Sequence, residues 1–302
     1  MGEAIPFRRR LSEDLTAFRA DFMRMLDGSA IRNIDPNRWG GGGFVGFPEW
    51  GWAPSDPSHE RTRMELLARW KELAHRWRLL FPTPTPRVAE TLDHALDQIH
   101  IWIQREAGDQ SVPGGIEAAK ATGDECFGQL QELLTMLPAD PVPVRLVVDT
   151  NALIDDPDLT IYKPTMGEHY TVHLLPVVLG ELDDLHRAGR TVELRSAAAA
   201  AGRRIKGYRG NGDIRSGVRV QAKIYMQFEH AEPDMTTTLH WLDRQVPDDR
   251  LVAAALDLQV RHPGSAVTVV TGDLNLQTKL SVAGLPYLEP PRNQETSDAS
   301  AG

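Results

Sequence analysis

Through residues 1–137 apolar side chains recur every three or four positions, the period of an amphipathic helix. In FRRRLSEDLTAFRADFMRMLD they are Leu11, Leu15, Phe18, Phe22 and Leu26, and Ser12-Glu13-Asp14 adds helix-start chemistry. After Pro57, SHERTRMELLARWKELAHRWRLL places Met64, Leu67, Trp70, Leu73 and Trp77 along one stripe. VAETLDHALDQIHIWIQRE and IEAAKATGDECFGQLQELLTML repeat the period. The pattern predicts an all-α N-terminal domain, a bundle or helical cap. It is interrupted at about 36–56 by NRWGGGGFVGFPEWGWAPSD, too rich in glycine for regular structure. The aromatics of that loop, Trp39, Phe44, Phe47, Trp50 and Trp52, serve either to anchor it to the helices or to stack on exposed bases, and anchoring is the commoner use of so much apolar area.

The period changes at 138–143, where PADPVPV begins a proline-rich linker. Beyond it, β-branched apolar runs predict strands at Val144–Val148, Tyr170–Leu175, Thr236–Trp241 and Val267–Val270, separated by helical stretches. Strand and helix in alternation predict an α/β domain with a parallel sheet over 144–289. Residues 290–302 are polar and read as a disordered tail.

Composition narrows the class. Of 302 residues 41% are hydrophobic and 25% charged, as in soluble globular proteins. No apolar run approaches the roughly 20 residues of a membrane span, and MGEAIPFRRRLSEDL lacks the apolar core of a secretory signal, so a cytoplasmic protein without a membrane partner is expected. A single cysteine, Cys126, excludes an intramolecular disulfide and a thiolate metal cluster. The formal net charge is −9, yet between Arg187 and Lys223 ten basic residues face only Glu193 and Asp213.

Candidate chemistry lies where the predicted strands end. Asp149 follows directly on Val144–Val148, and Asp273 follows Val267–Val270 after Thr271-Gly272. Glu181 lies in the helix entered through Pro176, and Asp248-Asp249 open another. Each alone reads as a turn or helix-cap residue. Together Asp149, Glu181, Asp249 and Asp273 are expected to converge at the carboxyl edge of one sheet, where ligands bind in open α/β folds. Like charges that close demand a cation, and an all-carboxylate set suits Mg²⁺ or Mn²⁺, which points to metal-assisted hydrolysis of a phosphodiester. Zinc is disfavoured because no Cys or His cluster has ligand spacing; His169 and His173 flank a predicted strand and read as core or surface residues.

In this order, VVDTNALIDDP, VVLGELDDL, DDRLVAAAL and VVTGDLNLQTKL resemble the four acidic motifs of PIN-domain nucleases, most of all the branch found beside PhoH-type ATPases and in eukaryotic RNA-decay endonucleases. The resemblance implies a three-layer α/β/α fold with a five-stranded parallel sheet, a Mg²⁺ or Mn²⁺ site, and single-stranded RNA as substrate. Asp149, Glu181, Asp249 and Asp273 match the acidic quartet; Thr150 and Asn151 match the polar pair after the first aspartate, and Thr271 the hydroxyl residue before the last. Asn275 stands where the family often carries Asn or Asp and is expected to orient a metal-bound water. The family register selects Asp249 over Asp248 and leaves Asp248 as a helix cap.

No Gly-x-x-x-x-Gly-Lys-[Ser/Thr] loop accompanies the motifs, so the ATPase of the nearest branch is missing. The N-terminal helices exceed a single-domain toxin and are expected to act as substrate guide, protein-partner surface or regulator. Arg203, Arg204, Lys206, Arg209, Arg219 and Lys223 are expected to form a phosphate-binding rim. The competing expectations are a catalytically silent PIN module that binds RNA or a protein, and a phosphatase of the haloacid dehalogenase type, which wants Asp-x-Asp where this chain has Asp149-Thr150-Asn151.

Overall fold

The computed structural model describes residues 4–35, 49–105, 109–214 and 216–291. Trp39, Phe44, Phe47, Arg215 and the tail from residue 292 lie outside them. The chain divides into two units, one of Arg8–Pro138 and one that starts at Ala139 and takes in the residues before Arg8.

The first unit is built on α1 (Phe7–Asp27), α2 (Pro57–Leu80), α3 (Pro86–Gln104) and α4 (Ile116–Thr135). Every apolar position expected of α1 is buried. Ser12-Glu13-Asp14 falls inside that helix rather than at its start, and Asp14 accepts from Arg76 of α2 at 2.9 Å. α2 starts on an Asp56 cap that accepts the N–H groups of Ser58 and His59, with Pro57 at its first position. Its buried stripe runs through Leu66, Trp70, Leu73 and Trp77, whereas Met64, expected in that stripe, is 61% exposed.

Phe18 lies 4.9 Å from Trp70 and Phe22 5.4 Å from Phe127, ring centre to ring centre, so aromatic packing ties α1 to α2 and α4. Each such ring stabilises the unit by about 1.5–3 kcal/mol through burial alone. α4 approaches α1 at Gly123, where a Cβ would stand 2.9 Å from the Phe22 ring. Two short antiparallel strands, β1 (Ile31–Asn33) and β2 (Trp50–Trp52), add to the expected helices, and β2 falls within the glycine-rich stretch expected to hold no regular structure, which corrects that expectation. Trp52 packs edge-on against Trp102 at 5.8 Å, the anchoring role expected of the loop aromatics.

In the second unit a six-stranded sheet is formed by β3 (Val144–Val148), β4 (His169–Leu174), β5 (Val218–Gln221), β6 (Lys223–Phe228), β7 (Ala266–Val270) and β8 (Tyr287–Leu288). The spatial order is β5-β6-β4-β3-β7-β8. Five strands run parallel, as expected, and β5 adds an antiparallel edge to β6. Every residue of β3 and β7 is buried, which requires helices on both faces of the sheet and gives the three-layer arrangement. These helices are α5 (Thr150–Asp155), α6 (Lys163–Met166), α7 (Pro176–Ala188), α8 (Val192–Tyr208), α9 (Pro247–Arg261) and α10 (Leu274–Val282).

The strand expected at Thr236–Trp241 is a turn. The Asp234 side chain accepts the Thr236 N–H at 2.9 Å and the Thr236 hydroxyl at 2.7 Å, an Asx turn that competes with the β-propensity of three successive threonines. The third crossover strand is instead β6, reached by a tight reversal in which Ala222 takes a left-handed φ of 46°. The proline-rich segment before β3 is pinned rather than loose: Asp140 is buried and accepts two hydrogen bonds from Arg145, both at 3.0 Å.

Candidate active site

β3 and β7 are paired with Val148 beside Val270, so the residues that follow them, Asp149 and Thr271, emerge side by side at the carboxyl edge. The Asp149 N–H donates to the Val270 carbonyl at 3.1 Å, extending the ladder by one residue. The Asp149 carboxylate caps α5 by accepting the Ala152 N–H at 2.7 Å, and it accepts the Thr271 hydroxyl. Thr271, fully buried, in turn accepts the Asp273 N–H at 3.0 Å. Asp273 caps α10 with one oxygen, Oδ1, which takes the N–H groups of Asn275 and Leu276. Thr150 donates its hydroxyl to Glu181 on α7. The cap role and the site role therefore coexist, because capping fixes the direction of each carboxylate.

Asp149 is only 5% exposed, and its pKa is raised. Burial is the main cause, the charges of Asp273 and Glu181 add to it, and the bonds from Thr271 and Ala152 oppose it. That edge of the sheet carries negative charge in search of a cation.

The third motif departs from expectation. α9 is capped at Val246 without a side-chain bond, so Asp248 is not its cap. Asp248 instead lines the cleft with Asp149, Glu181 and Asp273. Asp249 is buried and set back: Oδ2 accepts the Asp243 N–H at 2.9 Å and Oδ1 lies 2.8 Å from the Lys279 ammonium. Lys279 also reaches Asp248 at 3.3 Å, and although burial works against its charge, these two carboxylates raise its pKa. The expected quartet thus converges as a trio, with Asp248 as the additional carboxylate on the cleft wall. Asn151 is exposed on that wall, and Asn275 donates to Asp248 at 3.2 Å.

Residues 146–289 match the family model of the PIN domain. These residues are a PIN domain. The match runs from within β3 to just past β8 and leaves the helical unit unmatched. No curated protein matches the chain. PIN domains are typically nucleases and generally use divalent metal ions.

The donor set of this PIN domain fits a hard cation. Its cleft offers carboxylate oxygens and no Cys or His, while Val177, Leu185, Leu251 and Leu276 supply apolar walls. Among the described residues no three His, Cys, Asp or Glu side chains stand close enough to hold one metal ion jointly. A hard cation held by one or two carboxylates and its own waters would not require a closed protein cage. Two residues outside the expected set belong to the site. Asp184 lines the cleft one helical turn from Glu181, a spacing visible in GELDDL. Lys279 lies on α10 six residues after Asp273, and nothing in the sequence alone marks it.

The basic residues of the PIN domain separate into two groups. α7 and α8 are joined by the three residues Gly189–Thr191 and pack as antiparallel neighbours, which returns the end of α8 to the carboxyl edge of the sheet. Arg203, Lys206 and Arg209 are exposed there, and Arg219 is exposed on β5. Arg204 is tied to Asp158 at 3.3 Å and to the Tyr208 hydroxyl at 2.8 Å. Lys223 begins β6 opposite His169, at the other end of the strands from the cleft. The five steps of about 3.3 Å from Lys223 to Phe228 put it roughly 17 Å from the carboxyl edge, so it is not part of the expected rim.

Proposed function

We propose that this PIN domain hydrolyses phosphodiester bonds of single-stranded RNA with Mg²⁺ or Mn²⁺. The observation that carries the proposal is the convergence of Asp149, Glu181 and Asp273 on one cleft, with Asp149 buried among like charges that have no ion pair among the described residues. Asp149 and Glu181 would hold the ion, with Asp273 and Asp248 as the carboxylates beside it in the cleft. Bound there, a hard divalent ion supplies the Lewis acid for the scissile phosphate and lowers the pKa of an attacking water.

The chain's own residues do the rest. Thr271 and the α5 N-terminus keep Asp149 in one direction, and Thr150 does so for Glu181. Lys279 neutralises Asp249. Arg203, Lys206 and Arg209 neutralise backbone phosphates flanking the one that reacts. Val177, Leu185, Leu251 and Leu276 present apolar surface to an unstacked base, which a single strand offers and a duplex does not.

Purified full-length protein incubated with labelled single-stranded RNA and DNA, in Mn²⁺, Mg²⁺ or chelator, tests the proposal. Metal-dependent cleavage of RNA is expected, reduced about a hundredfold or more by Asp149→Asn or Asp273→Asn in proteins that remain folded. Undiminished cleavage in both variants overturns the assignment of the site. RNA that is bound but never cut, whatever the metal, supports a silent binding module instead.

A further inference from the structure

The helical unit contains a cavity of about 370 Å³, the size of a small-ligand site. Six of its lining residues carry the argument: Arg32, Trp52, Ser55, Arg63, Arg105 and Asp109. Arg105 follows α3 in a left-handed conformation, φ 56° and ψ 57°, which costs a non-glycine residue about 1 kcal/mol or more. That turn lays its guanidinium over the Trp52 ring, 4.7 Å from the centroid. There it donates to the hydroxyls of Ser55 and Ser29, both neutral, while Glu60, whose charge also acts on it, is bonded to Arg63. Its Nε is buried without a partner among the described residues.

Arg63 beside it is fully engaged, donating to the carbonyls of Ile103 and Gln104 and to Glu60. Burial, and then the charge of Arg63, pull the Arg105 pKa down to about 10. Two more polar atoms in this wall are buried and unpartnered, Trp52 Nε1 and Asp109 Oδ2. Arg32 is exposed at the cavity with no ion pair among the described residues.

Buried polar atoms are almost always hydrogen-bonded, and three on residues that line this one cavity have no protein partner among the described residues. The unanswered groups also specify the ligand. Two donors and two cations require an anion with several acceptor oxygens; one acceptor, Asp109, requires a hydroxyl or amine on the same molecule. We propose that this cavity binds a nucleotide, its phosphate on Arg32 and Arg105 and its ribose hydroxyl or base amine on Asp109. The source is either a free mononucleotide or one residue of an RNA strand. The site is independent of the acidic cleft of the PIN domain and stands whether or not that cleft cuts RNA.

Calorimetric titration of the full chain in chelator, on an Asp149→Asn background, tests the proposal. The probes are the four nucleoside 5′-monophosphates, the matching nucleosides, inorganic phosphate and a short single-stranded RNA. At least one monophosphate, or the RNA alone, is expected to bind, with affinity falling roughly ten- to hundredfold in Arg105→Gln and in Arg32→Ala. Binding of monophosphates identifies a free nucleotide as the source, and binding of RNA alone identifies a strand residue. Arg32→Ala removes only an exposed side chain, so it remains informative if circular dichroism shows that Arg105→Gln unfolds. No binding of any nucleotide or RNA, binding indifferent to both arginine variants, or phosphate alone binding as tightly as the nucleotides would each overturn the proposal.

Discussion

Arg145 is a charged residue in the middle of VRLVV, a strand whose every position is buried. A lone buried cation is untenable, and this one is answered on all sides: by both oxygens of Asp140, by the Ser265 hydroxyl at 3.2 Å and by His173 Nε2 at 3.1 Å. Because Arg145 donates to Nε2, the imidazole of His173 is neutral and carries its hydrogen on Nδ1, which donates to Glu229 at 2.7 Å. Burial, with no exposure left at all, lowers the His173 pKa to about 4. For Asp140 and Glu229 burial pushes upward, but the bonds from Arg145 to Asp140 and from His173 and Arg261 to Glu229 prevail and hold both at about 2.

All three shifts act in one direction with pH. The unfolded chain protonates its histidine near 6.5 while the folded one resists to about 4, so stability falls as pH drops through that window. The carboxylates contribute stability above their ordinary values of 3.8 and 4.5, and that contribution is lost as pH falls toward 2. Thermal melts are therefore expected to show a midpoint that declines below about pH 6.5 and more steeply below 4; a flat profile from 7 to 5 would contradict the neutral His173. Arg145→Met, which leaves the Asp140 carboxylate only His262 and the Val142 N–H, is expected to destabilise by about 3–5 kcal/mol in urea denaturation. None of this was legible in the sequence. Arg145 reads as an anomaly in a buried strand, and its partners lie as far away as His173 and Ser265.

Elements were legible where their own period decides them and obscure where a neighbour does. α1 to α4 follow from apolar spacing because a helix hides one face whatever it packs against. β6 was missed because its alternation merges with that of β5 into a single run, GVRVQAKIYMQF, and the reversal falls on Ala222, a residue with no turn preference. Ala222→Gly is expected to raise stability by up to about 1 kcal/mol, read from the urea midpoint, since glycine takes a left-handed φ without strain.

The start of α9 shows the same limit. Two adjacent aspartates cannot share one direction on a helix, and Asp249 is the one held back, by the Asp243 N–H as well as by Lys279 of α10. Lys279→Met leaves Asp249 buried without its cation. The metal-free melting temperature is expected to fall, and the rise produced by Mn²⁺ to exceed that of the unaltered protein, both measurable by scanning fluorimetry. An unchanged Mn²⁺ response would separate Asp249 from the metal site.

For the whole molecule, the order of the acidic motifs was enough to place a parallel α/β domain after a helical one, and to place Asp149, Glu181 and Asp273 at one edge. Which cations accompany them was not, because a basic run in sequence is spread by the fold over both ends of the strands. In chelator, Arg203→Ala with Lys206→Ala is expected to weaken RNA binding and to flatten its dependence on salt by about 0.7 per charge removed, whereas Lys223→Ala leaves both unchanged. Equal effects from the three positions would argue against the separation drawn from the strand register.

The pairing of β3 with β7 also sets a clock. Val148 and Val270 are neighbours in the sheet but more than a hundred residues apart along the chain, and such distant contacts form late and slowly. A chain still being synthesised can complete its helical unit and align β3 with β4, yet Asp273 has not been made when Asp149 and Glu181 are already in place. The cleft comes into existence only when β7 docks, after β3, β4 and the helices between them have been made. Whatever chemistry it performs is thereby withheld from any chain that has not yet reached β7.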